Sequence, residues 1–506
     1  ISDMEAFHRW AEAILAGDWL GREVFHPFHP WQEAVADAST WDAWYGRVFH
    51  QEPLYPYLLA LVYAVAPAAP SSMLMAQAAL GAAGCAFTYL AARRAGGATA
   101  GAAAGALAAL YGPYLYYESL LLRDAFLIPL HAALLWAVLE ARARRDARWW
   151  LAVGLLAGVS FVTKASILPF AIFLVILAAW ESRSRAGRPR WAAPAAAAAG
   201  FAALLLPLAA RNAVVGAPLL RTTTRGPIEF INGNNPWHPG IGWFDGDDAR
   251  VSGYARSVLA GADGRLSGTV LAVLRTWRHD PLRFLRLQAR KLGYFFAPFE
   301  MPNNASYSYF RLNVPLLRIL PDFFWLSPLI LIGAAAVPLR KDFAPVLVFA
   351  LIGTGVTVAF YVIARFRAPL MPAFLILAGA GAAWLIDRIR ARDLARLAAA
   401  GAAAACVLAL NAAHDHPDTD LVRPQDYLIA VQDLRARGDI PGALEQARQG
   451  AGIFPAFSVL HREAGLAALD LGLRQEADLS LRRALARDPA DAQARAALER
   501  LQRAAP

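Results

Sequence analysis

Apolar runs of helical length follow one another from residue 72 to residue 411, and basic residues gather in every second break between them. The runs read as 72–92, 98–115, 123–140, 149–163, 165–180, 191–210, 323–339, 343–362, 366–386 and 395–411. Most approach the ~20 residues that a helix needs to cross a hydrocarbon core, so the pattern predicts a membrane-spanning helix for each run. Breaks of one parity hold Arg93 and Arg94, then Arg142, Arg144, Arg145 and Arg148, then Arg183, Arg185, Arg188 and Arg190. The same parity continues with Arg340 and Lys341, then Arg388, Arg390 and Arg392. Short breaks of the other parity hold only Arg123, Lys164, Arg365 and Arg367. Cationic loops stay in the cytoplasm, so residues 1–71, residues 211–322 and the C-terminal tail are expected outside.

This pattern predicts an all-α polytopic membrane protein in five parts: an external loop 1–71, spans in 72–210, a large external loop 211–322, spans in 323–411, and an external helical domain 412–506. An external first loop needs a route across the membrane, so a further span is expected upstream of Ile1. Within the first loop, the apolar stretch before Pro67 is too short to cross and suits a helix lying in the interface. In the second loop, PLRFLRLQARKLGYFF places Leu282, Leu285, Ala289, Leu292 and Phe296 at helical spacing, with Arg283, Arg286 and Arg290 beside them. That pattern predicts a second interfacial helix. In the tail, Gly438 recurs as Gly472, Ala443 as Ala477 and Pro455 as Pro489. A 34-residue recurrence of small residues and a turn Pro is the pattern of tetratricopeptide repeats, about two copies and a final helix.

Composition narrows the classes. The chain is 58% apolar and 17% charged over 506 residues, with a net charge of +10. The excess charge lies in the predicted cytoplasmic loops, which fits anionic lipid better than nucleic acid, and no nucleic-acid partner is expected. Cys85 and Cys406 both fall in predicted spans, which argues against a disulfide framework or a cysteine zinc site.

Polar groups at membrane depth are costly and ask for a reason. Lys164 sits where two short spans meet with almost no loop; a fixed cation there suits a phosphate headgroup, and a lysine snorkelling to the interface fits equally. Arg365 and Arg367, in ARFRAPLMP, occupy the outer end of another hairpin, and the three together suggest an anion site. Asp3 has the chemistry of a general base, although Ser2 and Glu5 have capping-box spacing and would make Asp3 a helix-end charge. Glu118 and Asp124 flank the next outer mouth and offer a second acid, with an Arg123–Asp124 structural pair as the alternative. In RGPIEFINGNNPWHPG, Asn232, Gly233, Asn234, Asn235 and Pro236 make a turn whose amides can also read sugar hydroxyls. His8, His26, His29 and His50 with Glu52 share the first loop but match no closed metal set. His414 and His416 read as part of a solvated linker. No metal or other cofactor is required by these residues, and nothing in the pattern supports a divalent metal although one is compatible.

Taken in order, SDMEAFHRWAEAILAGDWLG, EPLYPYLLALVYAV, GPYLYYESLLLRDAF, FVTKASILPF, GPIEFINGNNP, DPLRFLRLQARKLGYFFAPFEMPNN and ARFRAPLMPAFLIL resemble the bacterial GT-C superfamily. The resemblance is to its branch related to protein O-mannosyltransferases and aminoarabinose transferases, which often carries a tetratricopeptide tail. It implies a GT-C multispan helical bundle in the bacterial inner membrane, working on the periplasmic face. The implied reaction moves a sugar from a polyprenyl-phosphate donor to an acceptor hydroxyl of a protein or glycan. Membrane lipids and a protein held by the repeats are the further partners. By the resemblance, Asp3 is the candidate base and Glu118 the acid of the second external loop. Lys164, Arg365 and Arg367 hold the lipid phosphate, and Glu229, Asn232, Asn234, Asn235, Lys291 and Glu300 contact substrate. The chain departs from the pattern in an inserted stretch at 26–46 and in the absence of the first span. A non-catalytic membrane scaffold that binds partners through its repeats is the rival reading. A transporter is the weaker rival, because paired midplane charges and internal symmetry are not seen.

Overall fold

The computed structural model describes residues 3–22, 47–66, 70–183, 189–242, 249–262, 265–337, 341–414 and 422–503. Among these residues the regular structure is helical throughout. Eight helices are long and apolar enough to cross a membrane: Pro70–Gly96, Arg123–Arg144, Ala165–Arg183, Ala192–Val215, Pro315–Ala336, Lys341–Ala359, Ala364–Arg390 and Leu394–Ala412. Two shorter apolar helices, Ala98–Leu110 and Ala147–Thr163, fill the remaining predicted runs. The chain is a multi-pass membrane protein of all-α class. Leu54–Val65 is a 12-residue helix, short of a crossing as the pattern before Pro67 requires.

One predicted run is divided. The run 98–115 ends as a helix at Leu110, Tyr111 turns to an extended backbone, and a new helix Gly112–Glu118 begins. Pro113 explains the break, since it has no N–H to continue the first helix and suits the first turn of the next. The freed Gly112 N–H donates to Pro321 O at 2.9 Å.

The chain forms two compact units, residues 1–301 with 319–415, and residues 302–318 with 416–506. In the first, Arg123–Arg144 and Ala364–Arg390 are the most enclosed spans, and Leu394–Ala412 is the least. Spans meet through glycine, which lets backbones approach in a setting where close packing drives association. A Cβ at Gly154 would lie 2.1 Å from Ala197 O, one at Gly200 2.5 Å from Leu151 O, and one at Gly333 1.8 Å from Leu377 O. The Pro281–Phe295 helix turns Leu287, Lys291 and Phe295 inward and leaves Leu282, Leu285, Leu292 and Phe296 exposed.

In the second unit, Ile440–Ile453 and Arg474–Arg487 start 34 residues apart, as do Ser458–Asp470 and Ala492–Arg503. Gly438 and Gly472 both adopt positive φ, 80° and 74°, at the turns that precede the first pair, a conformation that favours glycine. Their helices bury Ala443, Ala447, Ala464, Ala468 and Ala477 against Leu444 and Val431. The unit also contains the Tyr307–Asn313 helix, from a stretch expected to belong to the external loop. Asp426 holds it: one carboxylate oxygen accepts from Ser306 N at 2.6 Å, the other from Arg423 N at 2.7 Å. Tyr309 stacks edge-on to Tyr427 and donates from its hydroxyl to Gln446 Oε1 at 2.7 Å.

Removing the Asp426 carboxylate takes away the acceptor that a buried and a partly buried N–H share, a loss of about 1–3 kcal/mol. Asp426→Ala should therefore speed tryptic cleavage after Arg311 while the spans stay resistant. An unchanged cleavage rate would show that the carboxylate does not hold this segment.

Candidate active site

The first helix, Asp3–Leu15, buries Ala6, Phe7, Trp10, Ala11 and Ile14 along one stripe. Phe7 meets Tyr55 edge-on at 5.2 Å and Trp10 meets Phe49 at 5.3 Å, which seats the helix on Leu54–Val65. Asp3 thereby lies in a charged cluster rather than at an idle helix end. Its Oδ2 is 2.6 Å from Arg365 Nη1, and its Oδ1 is 3.4 Å from Arg225 Nη1 and accepts from Gln51 Nε2 at 2.9 Å. Of the alternative capping box, Ser2 lies outside the described residues and Glu5 accepts from Arg9. Arg225 also grips Glu229 at 2.6 Å, one turn along the Arg225–Gly233 helix. Burial alone would lower the Arg225 pKa, but Asp3 and Glu229 outweigh it and raise it, so this guanidinium stays charged.

Lys164 occupies the turn its position predicted, extended (φ −160°) between Ala147–Thr163 and a helical turn at Ala165–Ile167. Its amine lies 3.6 Å from Asp124 Oδ1 and 3.6 Å from the centroid of the Phe366 ring. The Arg365 guanidinium lies 5.4 Å from the same ring, so one aromatic ring contacts both cations. The turn is braced from outside. Glu52 accepts from Ala165 N at 2.9 Å and pairs with Arg123, which also reaches Thr163 O. Glu52 is thus part of a turn brace, not of a histidine metal set. His8 bonds Tyr63 and Glu12, and His26, His29, His416 and the 26–46 insertion lie outside the described residues. Among the described residues, no group of three His, Cys, Asp or Glu is placed to hold a metal.

The cluster matches the cations Arg123, Lys164, Arg225 and Arg365 with the carboxylates Glu52, Asp124, Glu229 and Asp3. One buried atom of these cations, Arg365 Nε, has no hydrogen-bond partner, and Asp124 Oδ1 meets Lys164 as an ion pair without accepting a hydrogen bond. A site of this kind can take an anion on Arg365 and Lys164 while a carboxylate stands beside it as base.

Several expected substrate contacts are instead consumed by the fold. Arg367 donates to Phe295 O, Ala297 O and Phe299 O and pairs with Glu300 at 2.8 Å, so neither is available to a phosphate or a sugar. Tyr111 donates to Glu300 as well. Asn234 is fully buried; its amide donates to Phe230 O and Ala359 O, and its Oδ1 accepts from Gln288 and Lys291. Lys291 is equally buried and donates to Phe360 O at 2.7 Å. Asn235 closes its own turn, donating to Asn232 O and accepting from Trp237 N. Asn234 has no free valence for sugar hydroxyls, and Asn235 is fully buried. Glu118 packs against Gly81, and Asp124 is the acid that faces Lys164. Arg225 and Gln51 are the members that sequence reasoning missed. The four-residue spacing of Arg225 to Glu229 was the signal that could have found the first.

Residues 50–209 match the family model for dolichyl-phosphate-mannose-protein mannosyltransferases, which bears out the resemblance over that stretch. No curated protein sequence matches the chain. The crystal structure of the Archaeoglobus fulgidus oligosaccharyltransferase with Zn and sulfate aligns at TM-score 0.40 and 16% identity, covering 78% of this chain and 48% of that one. AglB from Archaeoglobus fulgidus, with an inhibitory peptide and a dolichol-phosphate, aligns at TM-score 0.37 and 16% identity over 73% and 47%. ArnT from Cupriavidus metallidurans, bound to undecaprenyl phosphate, aligns at TM-score 0.37 and 16% identity over 95% and 73%. The chain spans about half the length of the archaeal proteins.

Breaking the Glu52 brace strands a buried Arg123, and losing one partner of such a pair costs about 3–5 kcal/mol. Glu52→Ala should lower the melting temperature in detergent more than Lys164→Ala does. The reverse order would mean that Glu52 does not brace the turn.

Proposed function

We propose that this protein is a glycosyltransferase that moves a sugar from a polyprenyl-phosphate donor to an acceptor hydroxyl on the non-cytoplasmic face of a bacterial inner membrane. The observation that carries the reading is the direct contact of Asp3 with Arg365, beside a Lys164 that shares the Phe366 ring. The mannosyltransferase match over residues 50–209 supports it, since that stretch contains Lys164 and its brace. The loop charges support the orientation. The exposed leucines of Pro281–Phe295 support a site at the lipid surface, where such a donor presents its headgroup.

The reaction balances without further groups. The acceptor oxygen forms a bond to the anomeric carbon as the bond from that carbon to the phosphate oxygen breaks. The electron pair leaves with the polyprenyl phosphate, and the hydroxyl proton passes to Asp3, giving inversion. Arg365 and Lys164 stabilise the charge that grows on the departing phosphate, worth about 2.7–4 kcal/mol per well-placed donor in a water-poor site. Arg365 is paired with Asp3 in the structure. A donor phosphate that takes Arg365 therefore also releases the base, which makes proton acceptance follow donor binding. The acceptor is a protein or glycan outside the membrane, and the second unit is a repeat domain of tetratricopeptide type that contributes a protein-binding surface.

Asp3→Asn should reduce transfer from an undecaprenyl-phosphate sugar by about 100-fold or more with little change in donor KM, the loss expected for a general base. Lys164→Ala should lower kcat/KM through the leaving group. Wild-type membranes that show no transfer, from a protein that purifies bound to other subunits, would favour the scaffold reading instead.

A further inference from the structure

Arg365 stands on a length of chain that is held almost entirely by the large external loop. The Ala344–Ala359 helix ends at Phe360, whose backbone (φ −95°, ψ −95°) leaves the helical path, and a new turn starts only at Ala364. A helix end frees carbonyls that must find donors elsewhere. Here Asn234 Nδ2 donates to Ala359 O at 2.8 Å, Lys291 Nζ to Phe360 O at 2.7 Å, and Gly242 N to Val362 O at 2.9 Å. Ala364 N donates to Met301 O at 3.2 Å. The approach at Gly233 is so close that a Cβ there would lie 1.9 Å from Phe360 O.

We infer that Lys291 and Asn234 are positioning residues for the donor site, holding segment 359–363 so that Arg365 reaches Asp3 and the phosphate. The inference rests on the proposed donor reading. Both side chains are fully buried, Lys291 Nζ bonds Asn234 Oδ1 at 2.9 Å, and Gln288 Nε2 donates to the same oxygen at 3.0 Å. Trp277 Nε1 donates to Asn234 O at 2.8 Å, which fixes the asparagine itself. Burial pushes the Lys291 amine down to about 7. A neutral amine carries two N–H groups, and the structure offers it two acceptors, Asn234 Oδ1 and Phe360 O. On the far side of Arg365, Arg367 anchors the chain to Phe295 O, Ala297 O and Phe299 O. The guanidinium of Arg365 is thus located between two anchors, both made by the external loop. That loop also carries Arg225 and Glu229, the other neighbours of Asp3.

The test is the affinity of the full-length protein in nanodiscs for undecaprenyl phosphate. It compares wild type, Lys291→Met, Arg365→Ala and the double variant. Arg365→Ala and Lys291→Met should each weaken binding by about tenfold, and the double variant should bind no worse than Arg365→Ala alone, because residues that act through one another are not additive. Additive losses, or unchanged binding by a folded Lys291→Met protein, would overturn the positioning role and leave the donor site standing. Unchanged binding by Arg365→Ala would overturn the donor reading and the inference together. If Lys291→Met does not fold, Asn234→Asp keeps the acceptor for Lys291 and loses the donor to Ala359. It should weaken binding in the wild-type background and not in the Arg365→Ala background, and a loss in both would overturn the inference.

Discussion

The constraint on which the structure turns is the cost of keeping Arg365 charged and buried. Only about a twentieth of this residue is exposed, and it pairs with Asp3, 362 positions away. Removing a guanidinium from water costs several kcal/mol unless a well-placed anion and further hydrogen bonds restore what was lost. Here the restoration is partial, since Nε has no partner. Around this pair stand four further ionic contacts: Arg225 with Asp3, Glu229 with Arg225, Asp124 with Lys164, and Glu52 with Arg123.

The cations Arg123, Lys164, Arg365 and Arg367 divide by what their hydrogen bonds do. Arg367 and Arg123 are braces. The first ties three carbonyls and Glu300 together, and the second joins Glu52 to the end of Ala147–Thr163. Lys164 and Arg365 are held more by an aromatic ring and a single carboxylate each, so their donors stay open to an incoming anion. Braces and open cations look alike as residue types; the difference is the number of acceptors the tertiary structure sets around them. The same division separates Asn234, whose amide is spent on backbone carbonyls, from the carboxylates that face the cations.

The second unit adds an internal ligand to a helical stack. A segment of the connection between spans, 302–318, is gripped by Asp426, Tyr427 and Gln446. The surface of the stack that holds Tyr309 is occupied by the chain itself, so an outside partner of these helices would meet the other faces.

The spans were legible because hydrophobic burial in a bilayer is written locally, in runs whose length the membrane sets. The same local rule separated Leu54–Val65 from the crossing helices, placed Lys164 in a tight turn, and revealed the 34-residue recurrence marked by Gly438 and Gly472. Residue chemistry singled out Asp3, Lys164 and Arg365 as polar groups needing a reason. What sequence alone did not contain was the valence of each group. That Asp3 meets Arg365, that Arg367 is bonded to three carbonyls, and that Lys291 and Asn234 serve Phe360 and Ala359 depend on contacts between distant segments. Hydrogen-bond geometry acts over about 3 Å, and only the folded chain brings such distances about.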